Sequence, residues 1–176
     1  ISYNVQFETQ EPLALICGDL ANDPAPLVRI HSSCFTGDLL ESLRCDCGDQ
    51  LTLAMKQIGA EGGMIIYLRG HEGRGIGLGQ KISAYCLQDA GEDTVEANLT
   101  LGFAPDMRQY DVAAQILHDL EVKSVRLLTN NPEKHSGLST YGIDVTERLP
   151  LLSPVHANNR DYLMAKKTKL GHLLKL

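Results

Sequence analysis

No apolar run in this 176-residue sequence approaches the roughly eighteen residues that a bilayer-spanning helix needs, which argues against a membrane protein. Nothing near the N-terminus resembles a secretory signal or a basic transit segment. Positive charge is scarce. The 16 Lys and Arg against 22 Asp and Glu leave a net charge of −6, so the basic footprint of a general nucleic-acid binder is missing. Cysteines number five. An odd count without a secretory signal, in a chain large enough to build its own core, argues against a disulfide framework. Internal repeats and low-complexity stretches are absent too. What remains is an acidic chain with reduced thiols, expected in the cytoplasm and forming one compact domain over residues 1–176. It begins at Ile1 rather than Met, which leaves room for an upstream segment or domain.

Three of the cysteines, Cys34, Cys45 and Cys47, crowd into residues 34–47. A structural zinc site usually closes its tetrahedron with four protein ligands, whereas a catalytic one uses three and leaves the fourth position to water. Three thiols on one metal therefore point to an enzyme rather than a zinc-stapled module. Scattered buried thiols are the alternative. That alternative suits Cys17, in an apolar run, and Cys86, beside Ala84 and Leu87. It does not suit Cys45 and Cys47, which lie among Arg44, Asp46, Gly48 and Asp49. His31 precedes Cys34 by three residues and reads either as a ligand or as a hydrogen-bonded neighbour of one.

Short apolar runs at 13–17, 27–30, 64–68, 125–128 and 143–145 predict strands. Helical spacing appears at Leu51, Ala54, Met55 and Ile58, and at Val112, Ala113, Ile116 and Leu120. A further helix is predicted over 76–90, closed by Gly91. Another covers 160–174, with Leu163 and Leu170 inward and Lys166, Lys167 and Lys169 solvated. Strands alternating with helices predict an α/β domain, a mixed sheet flanked by helices. The segment 95–111, with Gly102 and Pro105, reads as a loop.

Polar constellations sit where strands give way to helices. Arg69, Glu72, Gly73, Arg74 and the glycines that follow them join a strand to a helix. Backbone amides at such a junction, with guanidinium forks, suit phosphate. Neither G-x-G-x-x-G nor a Gly-Lys-Ser/Thr P-loop ending fits there. At a second junction, Asn131 and Pro132 read as an N-cap and first helical residue, while Thr129 and Lys134 are left over for a ligand. Asp106 and Arg108 read as a surface ion pair, and 93–96 as polar loop.

Together these stretches resemble GTP cyclohydrolase II, from Arg29-Ile30-His31-Ser32-Ser33-Cys34 through Arg44-Cys45-Asp46-Cys47-Gly48 and the 67–78 segment to Lys169-Leu170-Gly171-His172. The resemblance implies hydrolysis of GTP to 2,5-diamino-6-ribosylamino-4(3H)-pyrimidinone 5′-phosphate, formate and pyrophosphate by a homodimer. It implies zinc on Cys34, Cys45 and Cys47, with magnesium as second cofactor. Substrate contacts fall on Arg29, Ile30, His31, Ser32, Ser33, Gln50, Glu72, Gly73, Arg74, Thr94, Thr129 and Lys134. Asp106 becomes the proton acceptor, Arg108 the group acting at the α-phosphate and Tyr85 an active-site tyrosine, a candidate for protonating or orienting the purine. The chain departs from the family at Ser33, usually Glu, and at Phe35, usually Leu. The Arg69-to-Arg74 sequence resembles the version in bifunctional riboflavin enzymes, which carry an upstream synthase domain. A paralog that stops at a formamidopyrimidine, and a zinc- and nucleotide-binding homolog without turnover, are the alternatives.

Overall fold

A computed structural model describes residues 1–6 and 10–176. Among the described residues, five strands form one sheet in the order β1-β3-β2-β4-β5. They are β1 (Leu13–Cys17), β2 (Leu27–Ser32), β3 (Gly63–Leu68), β4 (Ser124–Leu128) and β5 (Asp144–Leu149). β1 runs antiparallel to β3, and the other neighbours are parallel. Six α-helices flank the sheet among those residues: α1 (Cys47–Glu61), α2 (Gly77–Asp89), α3 (Thr94–Thr100), α4 (Asp111–Asp119), α5 (Pro132–Thr140) and α6 (Arg160–Lys169). The expected mixed α/β sheet is therefore present, in a single compact domain.

β2 is the central strand, and its two faces differ. Val28 and Ile30 pack with Met64, Ile66, Leu117 and Leu127 in the larger core cluster. Leu27 turns the other way, onto Ala54 and Ile58 of α1 and onto Leu128. Burying such side chains stabilises by about 1.5–3 kcal/mol each, so the register of β2 is firmly set. The same two-residue period places Arg29 and His31 on the Leu27 face, both buried. β3 begins at Gly63 because a Cβ there would lie 2.1 Å from the Leu27 carbonyl oxygen.

The carboxyl ends of β2, β3 and β4 open on one edge. A crevice there is the usual ligand position in sheets of this kind.

Several sequence expectations need correction. The segment 95–111 is not all loop: α3 occupies its start. Asp93 caps that helix, accepting from Val95 N–H and Glu96 N–H, while Glu96 reaches back to the Asp93 N–H. The Asp-x-x-Glu spacing is a capping-box signal, masked by an apolar content too small to show a period. Cys17 and Cys86 are exposed rather than buried. The last helix stops at Lys169, short of residue 174, and Gly171 then takes a positive φ of 65°. Lys166 is not solvated but buried. No helix among the described residues is long and apolar enough to cross a membrane.

Candidate active site

Cys34 follows β2 and precedes a π-helical turn at Phe35–Leu39. Cys45 lies in the turn before α1, and Cys47 is the first residue of α1. Their sulfurs lie within 4.8 Å of one another, with Cys34 Sγ and Cys45 Sγ 3.7 Å apart. Zinc–thiolate bonds of about 2.3 Å in a tetrahedron space the sulfurs about 3.8 Å apart, so the cluster fits that ion. No fourth His, Cys, Asp or Glu joins it among the described residues. Space for the cluster comes from Gly37, where a Cβ would lie 3.0 Å from Cys45 Sγ and 3.1 Å from Cys34 Sγ.

Thiol donation from Cys45 and Cys47, together with the Lys81 ammonium, holds the Cys34 thiol far below its ordinary value. Donation to Cys34 pushes Cys45 up to about 11 and Cys47 well above the thiol range. The protein alone thus favours one thiolate. A cation bound by all three sulfurs would have to displace the other two protons.

Two buried carboxylates pin these loops. Asp38 accepts from the Cys34 N–H at 3.0 Å, the Tyr67 hydroxyl at 2.8 Å and His31 Nε2 at 3.1 Å. His31 is thus a neighbour of the cluster and not part of it. Asp46, between two cysteines, accepts from Lys166 Nζ at 2.7 Å, Gln50 Nε2 at 2.5 Å and Ser153 Oγ at 3.1 Å. Burial alone would raise the Asp46 carboxyl, but the Lys166 ammonium outweighs it and holds the group ionised.

The cleft beside the thiols is rich in cations despite the acidic chain. Arg29 donates to the Leu128 carbonyl at 3.0 Å and to Gln50 at 2.6 Å, and burial lowers it to about 10. Lys134 donates to the Ile30 carbonyl at 2.9 Å. Burial, then Arg29 and Arg108, push it well below the usual lysine range. Arg74 takes a left-handed φ of 65° directly after Gly73 at 61°, a strained backbone of the kind that gathers at functional sites. Its carbonyl accepts from the Met107 N–H at 3.1 Å. Arg29 Nε, Arg74 Nη2 and Asn131 Nδ2 are buried without partners. Such orphaned donors are rare in folded proteins, and here they surround a cleft suited to an anion.

Asp106 and Arg108 are not a surface pair: each side chain is 12% exposed. The guanidinium engages both carboxylate oxygens, Nε at 2.8 Å and Nη2 on the other side, and Nη1 reaches Ser32 Oγ at 3.3 Å. Burial opposes both charges. The pair outweighs it, so Asp106 stays below the usual carboxylate range. For Arg108, burial is outweighed by Tyr110 and Asp106, which raise it. Tyr85 donates to or accepts from Thr36 Oγ1 at 3.0 Å, with the Arg44 guanidinium 4.9 Å from its ring centre. Burial raises its phenol, keeping the proton in place.

Of the residues expected here, Arg29, His31, Ser32, Ser33, Gln50, Gly73, Arg74, Thr94, Thr129, Lys134, Tyr85 and Arg108 line one cleft with the three cysteines. Ile30, Glu72 and Asp106 do not line it. Ile30 is core, Asp106 stands behind Arg108, and Glu72 is engaged by Lys81 and the Phe35 N–H. Ser33 donates to the Arg69 carbonyl at 2.8 Å. Sequence reasoning missed Asp38, Asp46, Lys81 and Lys166, and also Tyr162, which lines the cleft. For Lys166 a signal existed, since Leu163, Lys166 and Leu170 share one helical face.

The sequence matches the family model described as GTP cyclohydrolase II over residues 1–150. It is 54% identical over 173 residues to the riboflavin biosynthesis protein RibBA of Salinispora tropica, covering 98% of this chain and 43% of that protein. Identity is 51% over 172 residues to the monofunctional riboflavin biosynthesis protein RIBA 3, chloroplastic, of Arabidopsis thaliana, with 97% and 34% covered. For the probable bifunctional riboflavin biosynthesis protein RIBA 2, chloroplastic, of Oryza sativa subsp. japonica it is 54% over 164 residues, with 93% and 30% covered. The chain thus spans 30–43% of the length of these three curated relatives.

Proposed function

The chain belongs to the GTP cyclohydrolase II family, and on that premise we propose that its cleft hydrolyses GTP to 2,5-diamino-6-ribosylamino-4(3H)-pyrimidinone 5′-phosphate, formate and pyrophosphate, the opening step of riboflavin biosynthesis. The observation that carries this reading is the meeting of a three-thiol cluster and a group of buried cations in one cleft. GTP needs the same pair: an activated water for purine C8, and positive charge for the triphosphate.

Cys34, Cys45 and Cys47 would hold a zinc ion, which when bound supplies Lewis acidity to a water for attack on C8. Tyr85, whose hydroxyl lies 3.0 Å from Thr36 Oγ1 and whose phenol burial keeps protonated, is assigned to donate to the purine. Arg29, Arg74 and Lys134 take the triphosphate, with Asn131, Thr94 and Thr129 beside them. Arg108 acts at the α-phosphate by charge. Its guanidinium is locked against Asp106 and keeps all its protons, so it has no lone pair for covalent attack. Asp106 orients that fork, and its lowered basicity makes it a weak proton acceptor.

No Asp or Glu is among the residues lining the cleft, and the three cysteines are the one set of three or more His, Cys, Asp or Glu among the described residues that could hold a metal ion. Magnesium is therefore assigned to the phosphate oxygens themselves, and no step is drawn through it. Homodimeric assembly and fusion to an upstream synthase domain belong to the same reading, the latter supported by relatives named bifunctional. So does a cytoplasmic location, although the two plant relatives are named chloroplastic.

Incubation with GTP tests the proposal. Mass spectrometry should find the deformylated diaminopyrimidine with formate and pyrophosphate. An intact formamido product, or bound GTP without formate, would overturn it.

A further inference from the structure

Lys81 has no part in the reading above, yet it reaches into the thiol cluster. From α2 its Nζ donates to Cys34 Sγ at 3.0 Å and to Glu72 Oε1 at 2.6 Å. Both side chains are 10% exposed. Glu72 is fixed in turn, because its other oxygen accepts from the Phe35 N–H at 2.7 Å, the residue after Cys34. The ammonium is thereby clamped against one sulfur, and Cys45 and Cys47 have no such contact with it. Taking a lysine and a carboxylate out of water is costly unless their geometry is good. An outward-facing lysine would have served α2 as well, so local helix formation does not account for this placement.

Three thiolates donate more charge to a metal than neutral ligands do, which dulls the acidity of a bound water. A charged N–H donor on a thiolate draws electron density back from it, as hydrogen-bonding partners of metal ligands generally do. Resting on the zinc reading of the cysteines, we propose that Lys81 is a positioning residue of the metal centre. Clamped by Glu72, it makes Cys34 the weakest of the three sulfur donors and keeps the bound metal a strong Lewis acid. Glu72, expected to touch GTP, then acts from behind the cluster.

Cobalt(II) substitution tests this without turnover, through the sulfur-to-cobalt charge-transfer absorption. In Lys81→Met the band should move to lower energy, because Cys34 becomes the stronger donor. Lys81→Arg, which restores a charged N–H donor, should bring it back towards the parent position. Lys81→Met leaves the Glu72 carboxylate unpaired, so the double variant Lys81→Met/Glu72→Gln guards against misfolding and should show the same shift. One band position shared by all four proteins overturns the proposal and leaves the metal reading standing. No band in the parent protein overturns both.

Discussion

The thiol side of the cleft comes from one short stretch, residues 34–47, pinned by Asp38 and Asp46 within it. Its cation side draws Arg29 from β2, Arg74 from the 3-10 turn Arg69–Arg74 after β3, Arg108 from the loop before α4, and Lys134 from α5. On the first side the three sulfurs share one loop, which Lys166, Tyr67 and Lys81 brace from outside it. On the second the distances depend on how the whole sheet holds its strand ends together. The charges differ as well: the sulfurs wait for a cation, while the guanidinium and ammonium groups wait for an anion. The two meet at the end of β2, where Ser32 touches Arg108 and Cys34 begins the cysteine loop. This division implies that the sides can be broken separately, and that damage to the sheet should break both.

The largest effect should come from Cys45→Ser. Bound zinc, followed by metal analysis, should fall to background together with formate release, while pyrophosphate release persists. Arg108→Ala should do the reverse, lowering pyrophosphate release about 10²–10³-fold, the usual cost of removing a donor that meets developing charge, with zinc content unchanged. If either substitution abolishes both products, the separation of the two sides fails. Leu127→Ala strikes the support common to both. This side chain is fully buried in the main core, and its loss should lower unfolding stability in urea by about 2–5 kcal/mol.

The smallest expected effect concerns pH. Burial, then Lys166 and Arg108, lower His172 to about 3, and burial, then Arg108 and Lys134, do the same for His71. Both are neutral when folded but gain protons near the ordinary histidine value of about 6.5 when unfolded. Their contribution is therefore present above about 6.5 and lost as pH falls towards 3. Urea midpoints at pH 7 and pH 5 should differ less in His172→Gln than in the parent. An equal difference removes His172 from this account.

How legible each side was follows from the same contrast. Cys34, Cys45 and Cys47 were readable because their spacing is a local pattern in polar surroundings. Asn131 and Pro132 were readable because a helix start is written in adjacent residues, and the cap is observed, with Asn131 Oδ1 accepting from the Glu133 N–H at 3.0 Å. Asp106 and Arg108 looked like a solvated pair, since two residues say nothing about what buries them. Lys81 was invisible: it sits 47 residues from Cys34, and only the packing of α2 against the cysteine loop brings them together. The sheet was legible strand by strand, but its order was not, because strand order is set by long-range packing.

The most direct test removes zinc with a chelator and follows the two small products separately from one GTP incubation. The division of the cleft predicts that formate release stops, pyrophosphate release continues, and added zinc restores formate. Loss of both products on chelation, with both recovered on adding zinc, would contradict it.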